Sequence, residues 1–137
     1  MPMIQIKFAA LAPAPELEAR IAARAAALSS AHLGKDPSVT AVLVERADPA
    51  AWFCGGRTLA EDGLSGFWLD IRVTEGTNTK DEKAAFVAAT FAAMGELLGP
   101  LHPESYVHVM EARGDSYGYG GLTQERRYIA ARPLSPG

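Results

Sequence analysis

The residue with the sharpest chemical potential in this sequence is Pro2, which follows Met1 and opens the stretch Met3-Ile4-Gln5-Ile6-Lys7-Phe8. Methionine aminopeptidase removes Met ahead of a small residue such as Pro. Its removal leaves a prolyl secondary amine at the end of a strand. An α-amino group has a reference pKa of about 7.7–8.0. Apolar burial disfavours the ammonium form and lowers that value, and an amine tuned toward neutrality acts as a general base. Met-Pro is also simply a frequent chain start, so the dipeptide alone does not choose between a base and an ordinary terminus.

Other chemistries find less support. His32, His102, His108 and the single Cys54 show no metal-site spacing. There is no phosphate-binding glycine loop and no nucleophile elbow. The 137 residues suffice for one domain with a real core, 48% of them are hydrophobic, and the net charge is −3. That balance gives no basic face for nucleic acid. No apolar run is long enough to cross a membrane, no signal peptide precedes the first strand, and one cysteine fits a reducing cytoplasm. The expectation is a cytoplasmic protein.

The elements that must position Pro2 come from the apolar pattern. Ile4, Ile6 and Phe8 alternate with Gln5 and Lys7, a strand with one apolar face. Pro15 suits the first turn of a helix, with Glu16 and Glu18 at its positive end. Leu17, Ile21 and Leu28 mark its buried stripe, and Gly34 ends it. Val39 to Glu45 reads as a second strand, followed by Trp52-Phe53-Cys54 and a Gly55-Gly56 turn. A helix between neighbouring strands makes a βαβ unit with parallel strands. Arg57 to Gly66 reads as a connecting loop.

The pattern then restarts. Phe67 to Thr74 is a strand, Thr79-Lys80-Asp81-Glu82 a capping box, and Phe86, Val87, Met94 and Leu97 the apolar positions of a second helix. Gly99-Pro100 stops that helix, Ser105 to Glu111 is the fourth strand, and Tyr117-Gly118-Tyr119-Gly120-Gly121 echoes the first turn. A shift of 65 residues places Ile4 on Leu69, Ile6 on Ile71, Lys7 on Arg72, Trp52 on Tyr117 and Pro2 on Phe67. We read an α+β fold across residues 1–137 as a single domain with pseudo-repeats at about 2–56 and 67–121. A four-stranded mixed sheet carries two helices on one face. Its other face, with Gln5, Lys7, Asp70 and Arg72, suits packing against other subunits with closed symmetry.

A Pro-first strand, a helix, a parallel strand and an aromatic–Gly-Gly turn, present twice, resembles the tautomerase superfamily, and within it a fused 4-oxalocrotonate tautomerase. The resemblance covers about residues 2 to 121. It implies a trimer of such chains, no cofactor, and Pro2 as general base. The substrate class it implies is a small 2-hydroxydienoate or enolpyruvate-type carboxylic acid, isomerised by moving one proton. Trp52 and Tyr117 stand where the family's active-site aromatic stands, though such residues also serve as core.

The sequence departs from the family at the substrate arginines. The loop after the first strand is Leu11-Ala12-Pro13 in one half and Gly76-Thr77-Asn78-Thr79 in the other, without arginine. The strand arginine's positions hold Ala41 and His108. Candidates to bind the substrate instead are His108, Tyr117, Trp52, Asn78 and Arg57. His108 pairs with a carboxylate when protonated, or is an ordinary strand histidine. Asn78 donates hydrogen bonds, or caps a turn. Arg57 is a substrate cation or a surface charge. Arg72 and Lys7 are further candidates for the carboxylate clamp, or line a subunit interface in pairing with Asp70. Cys54 reads as a packing residue. The functional readings are a cofactor-free tautomerase, a hydratase-type dehalogenase or decarboxylase of the same superfamily, and a non-catalytic oligomeric binding protein. The hydratase-type relatives carry paired arginines where this chain has Thr74 and Thr77, which counts against that reading.

Overall fold

A computed structural model describes residues 1–12 and 14–132. Each half supplies two strands of one sheet and the long helix between them. The first half has β1 (Met3–Ala9), α1 (Leu17–Leu33) and β2 (Ala41–Arg46); the second has β5 (Gly66–Thr74), α3 (Lys80–Leu98) and β6 (Tyr106–Ala112). The sheet order is β2-β1-β5-β6. The two outer pairings are parallel, as βαβ connections require, and the central β1–β5 pairing is antiparallel.

Alternation decides which face is covered. Ile4, Ile6, Phe8, Phe67, Leu69, Ile71 and Val73 are fully buried and form one cluster with Leu17, Ile21, Ala25, Phe86 and Met94 of the helices. Each large apolar side chain so buried stabilises the fold by about 1.5–3 kcal/mol. Both helices therefore lie on one face. The opposite face presents Gln5 and Lys7 on β1 and Trp68 and Arg72 on β5, all exposed.

Local chemistry sets the helix ends. Thr79 and Glu82 form the reciprocal capping box at the start of α3. Gly34 ends α1 in the left-handed region. Other expectations need correcting. Pro15 precedes α1 rather than opening it: Glu16, in a left-handed conformation, is the N-cap, and its carbonyl accepts from the Arg20 amide. Asp36 caps a short 3-10 turn at Pro37–Val39, so β2 starts two residues later than its apolar pattern suggested. On α3 the buried stripe is Phe86, Thr90, Ala93, Met94 and Leu98, while Val87, one position round the helix, is exposed.

The stretch from Arg57 to Gly66 is not a plain loop. It holds β4 (Arg57–Thr58), which pairs with β3 (Phe53–Cys54), and the short helix α2 (Leu59–Asp62). The second half repeats this with β7 (Gly118–Tyr119), β8 (Leu122–Thr123) and α4 (Gln124–Ala131). The two hairpins agree in detail. Gly55 and Gly56 have φ of 60° and 81°, and Gly120 and Gly121 have 61° and 83°, values that glycine adopts without strain. The Trp52 carbonyl accepts from the Leu59 amide at 2.9 Å, and the Tyr117 carbonyl from the Gln124 amide at 2.8 Å. Thr58 and Thr123 cap the following helices through their hydroxyls, each at 3.0 Å.

Candidate active site

Pro2 is buried at the start of β1, and its carbonyl accepts from the Ala41 amide at 3.2 Å. The next residue, Met3, lies between Ala41 of β2 and Arg72 of β5. Because β1 and β5 are antiparallel, the beginning of β1 faces the end of β5. Because β5 and β6 are parallel, the hairpin that follows β6 lands at that same end. Pro2, Met3, Thr40, Asp70, Arg72 and Tyr117 consequently share the wall of one cavity of about 600 Å³.

The charges around it are sparsely paired. Arg72 forms no ion pair among the described residues. Asp70 has Oδ1 buried without a hydrogen-bond partner among them. Within one chain neither Arg72 nor Lys7 pairs with Asp70 among the described residues. Residues two apart on a strand share a face yet sit roughly 7 Å apart, and the carboxylate and guanidinium stay separate. The Tyr117 hydroxyl donates to the Met1 carbonyl at 2.8 Å, with the Arg72 carbonyl at 3.4 Å. Burial pushes its pKa up, against opposing effects of the Met3 backbone and the Arg72 charge, so the phenol stays a donor.

At the Met1 amine, burial and then the Lys35 ammonium lower the pKa. Lys35 itself is held below the ordinary lysine range by burial, with Glu82 opposing, and its Nζ donates to Thr77 Oγ1 at 3.1 Å. Nothing in the sequence singled out Lys35; it follows the glycine that ends α1, in a loop without periodicity.

The remaining sequence candidates lie outside this cavity within one chain. His108 is exposed on β6, in register with Asp70. Asn78 donates to the Leu33 carbonyl at 2.9 Å and so closes the C-terminal end of α1. Arg57 is ion-paired with Asp62 at 2.6 Å and Glu61 at 3.7 Å, and the Asp62 hydrogen bond raises its pKa. Cys54 is buried, and its thiol is pushed up by burial and then by Glu104 and Asp62, the wrong direction for a nucleophile.

Trp52 lines a second cavity of about 420 Å³ with Gln5, Lys7, Ala47 and Trp68. The 65-residue shift relates the two cavities. It exchanges Met3 with Trp68, Arg72 with Lys7, Asp70 with Gln5 and Tyr117 with Trp52. At the place equivalent to Pro2 stands Phe67, fully buried in the core.

No family model matches the sequence, and neither does any curated protein. Solved structures do match in shape. A fused 4-OT solved as a wild-type symmetric trimer superposes with a TM-score of 0.78 at 15% identity, covering 95% of this chain and 99% of that one. The chain has the fused 4-OT fold. Pt0534, solved after inactivation by 2-oxo-3-pentynoate, matches the fused 4-OT fold of this chain equally, with a TM-score of 0.78, 16% identity and coverage of 95% and 99%. A member of the cis-3-chloroacrylic acid dehalogenase family matches with a TM-score of 0.69 at 21% identity, covering 94% of this chain and 92% of that one. The fused 4-OT fold thus spans both tandem units seen here. Among the described residues, no helix is long and apolar enough to cross a membrane, and no cluster of metal-ligating side chains is found.

Proposed function

We propose that this protein is a cofactor-free tautomerase of small enol or dienol carboxylic acids, with Pro2 as its general base once Met1 is removed. The observation that carries this reading is the shared cavity: a buried proline at a strand start, a guanidinium across from it with no ion pair among the described residues, and a phenol held as donor. The Arg72 guanidinium holds the substrate carboxylate by charge-assisted hydrogen bonds. The Pro2 nitrogen takes the enol O–H proton, the oxygen becomes a carbonyl, and the resulting prolyl ammonium returns the proton to carbon. The Tyr117 hydroxyl donates to the oxygen while it carries negative charge. In this reading His108 serves from a neighbouring subunit, Asn78 and Arg57 keep the structural contacts described above, and Trp52 lines the second cavity.

The assembly we propose is a homotrimer. Leu43 and Tyr106 are exposed on the helix-free sheet face, and Tyr128 and Ile129 on α4. So much exposed apolar surface favours an interface, and the fused 4-OT neighbour is a trimer.

A second reading is favoured by Asp70. Its unpartnered Oδ1 in the same cavity could activate a water for a hydratase-type reaction on an unsaturated acid. A neighbour from the cis-3-chloroacrylic acid dehalogenase family supports keeping it.

The test uses 2-oxo-3-pentynoate on Met-free protein, followed by intact-mass and peptide analysis. One adduct per chain, at Pro2, with loss of phenylenolpyruvate turnover is expected. Labelling at Cys54 with Pro2 untouched overturns the assignment, and loss of a 3-haloacrylate hydrolysis instead of enol turnover selects the hydratase reading.

A further inference from the structure

The second cavity has two tryptophans in its lining and, at the place equivalent to Pro2, the buried Phe67. We propose that it is a separate, non-catalytic site for a small aromatic monocarboxylate. Trp52 is half-buried against Ala9, Cys54 and Leu59, which fixes one indole as a wall. Trp68 is 42% exposed and leans on Tyr106 with ring centres 5.5 Å apart and planes tilted by 46°, which fixes the second. Two held indoles favour a planar ring between them.

The polar end is Lys7. It is exposed and forms no ion pair among the described residues, although Glu45 lies beside it in register on β2. An ammonium without a partner takes one carboxylate, and the Gln5 amide stands two residues away on the same strand face as a further donor. Glu45 repels a second negative charge, so a dicarboxylate is disfavoured.

The site occupies the position equivalent to the Pro2 cavity. The residue in place of the base is Phe67, internal in the chain and turned into the core. The ligand therefore binds unchanged.

Both tryptophans of the chain line this cavity and neither lines the first, so indole fluorescence reads it selectively. The probe is 3-phenylpropionate, which is transparent at the excitation wavelength for tryptophan. Whole protein should show a saturable fluorescence change with a millimolar Kd, in keeping with a ligand of this size. Lys7→Gln should weaken it by about tenfold, a typical loss for one charge-assisted contact, and Lys7→Arg should retain it. Protein alkylated at Pro2 should bind as before, and Lys7→Gln should turn over phenylenolpyruvate as wild type does. An absence of saturation, an unchanged Kd in Lys7→Gln, or loss of the signal on alkylation each overturns the proposal. Because alkylated protein is one arm, failure here is distinct from failure of the Pro2 assignment.

Discussion

The Tyr117 hydroxyl donates a hydrogen bond to the carbonyl oxygen of Met1 at 2.8 Å, joining the second half's hairpin to the first half's strand. Removal of Met1 deletes that acceptor and leaves the phenol facing the space where the Pro2 amine is exposed. Tyr117→Phe in Met-free protein should therefore lower kcat for phenylenolpyruvate by about 100-fold, near the loss seen for one oxyanion donor. KM and the thermal midpoint should change little. A Met-retained preparation, whose Pro2 nitrogen is an amide, should be inactive with or without Tyr117→Phe. Steady-state kinetics on the four preparations checks this.

Arg72 lines the cavity and forms no ion pair among the described residues. Arg72→Gln should raise KM for a carboxylate enol by about tenfold or more, roughly 1.4 kcal/mol. The methyl ester of the same enol carries no charge to hold, so wild type and Arg72→Gln should turn it over alike. Equal KM values on the free acid would remove Arg72 from the site.

The pH profile tests the base. Burial and the Lys35 charge lower the pKa of the Met1 amine; the Pro2 amine freed on its removal lies one residue further along the same buried strand start, and its active form is the neutral amine. Rate is thus present above the amine's pKa and lost as pH falls through it. The midpoint of the acidic limb should lie below the reference of about 7.7–8.0. Lys35→Met removes a positive neighbour, so the midpoint should move up toward that reference. A midpoint that stays fixed in Lys35→Met would contradict the electrostatic account.

Assembly is open to a direct measurement. Light scattering at micromolar concentration should report three chain masses. Replacing Leu43 by Glu on the helix-free sheet face should shift the population toward single chains, because a buried carboxylate without a partner is costly. A single-chain mass for the unmodified protein would count against the trimer.

The alternation of Ile4, Ile6 and Phe8, and its return in Leu69, Ile71 and Val73, was enough to read the sheet and its covered face. The Thr79–Glu82 capping box and the paired glycines were equally plain, since each is a local rule with a fixed spacing. α4 was not, because Gln124-Glu125-Arg126-Arg127 has no apolar stripe; its start rests on the Thr123 cap alone. The site was legible in part. Tyr117 and Wall-forming Trp52 stood out as equivalent, but the pattern does not say which hairpin reaches which strand. The antiparallel centre of the sheet decides that: each half's hairpin closes the cavity at the other half's strand start. Arg72 stands in the sequence between a substrate cation and an interface charge, because alternation gives a face and not a lean along it. Asn78 was ambiguous for a good reason, since an amide that binds a carboxylate and one that closes a helix end are the same amide.

The sheet's central seam also bears on how the chain finds its fold. Met3 to Ala41 and Arg72 to Met110 are equal, short separations in sequence, closed by one helix each. Met3 to Arg72 spans far more chain, and no local turn helps it. Loop-closure entropy must be met before that pairing gives anything back. The two βαβ units can form early and independently, each leaving β1 or β5 as a bare apolar edge. The slow step is then the meeting of those two edges, and the same step competes with the pairing of either edge with another chain.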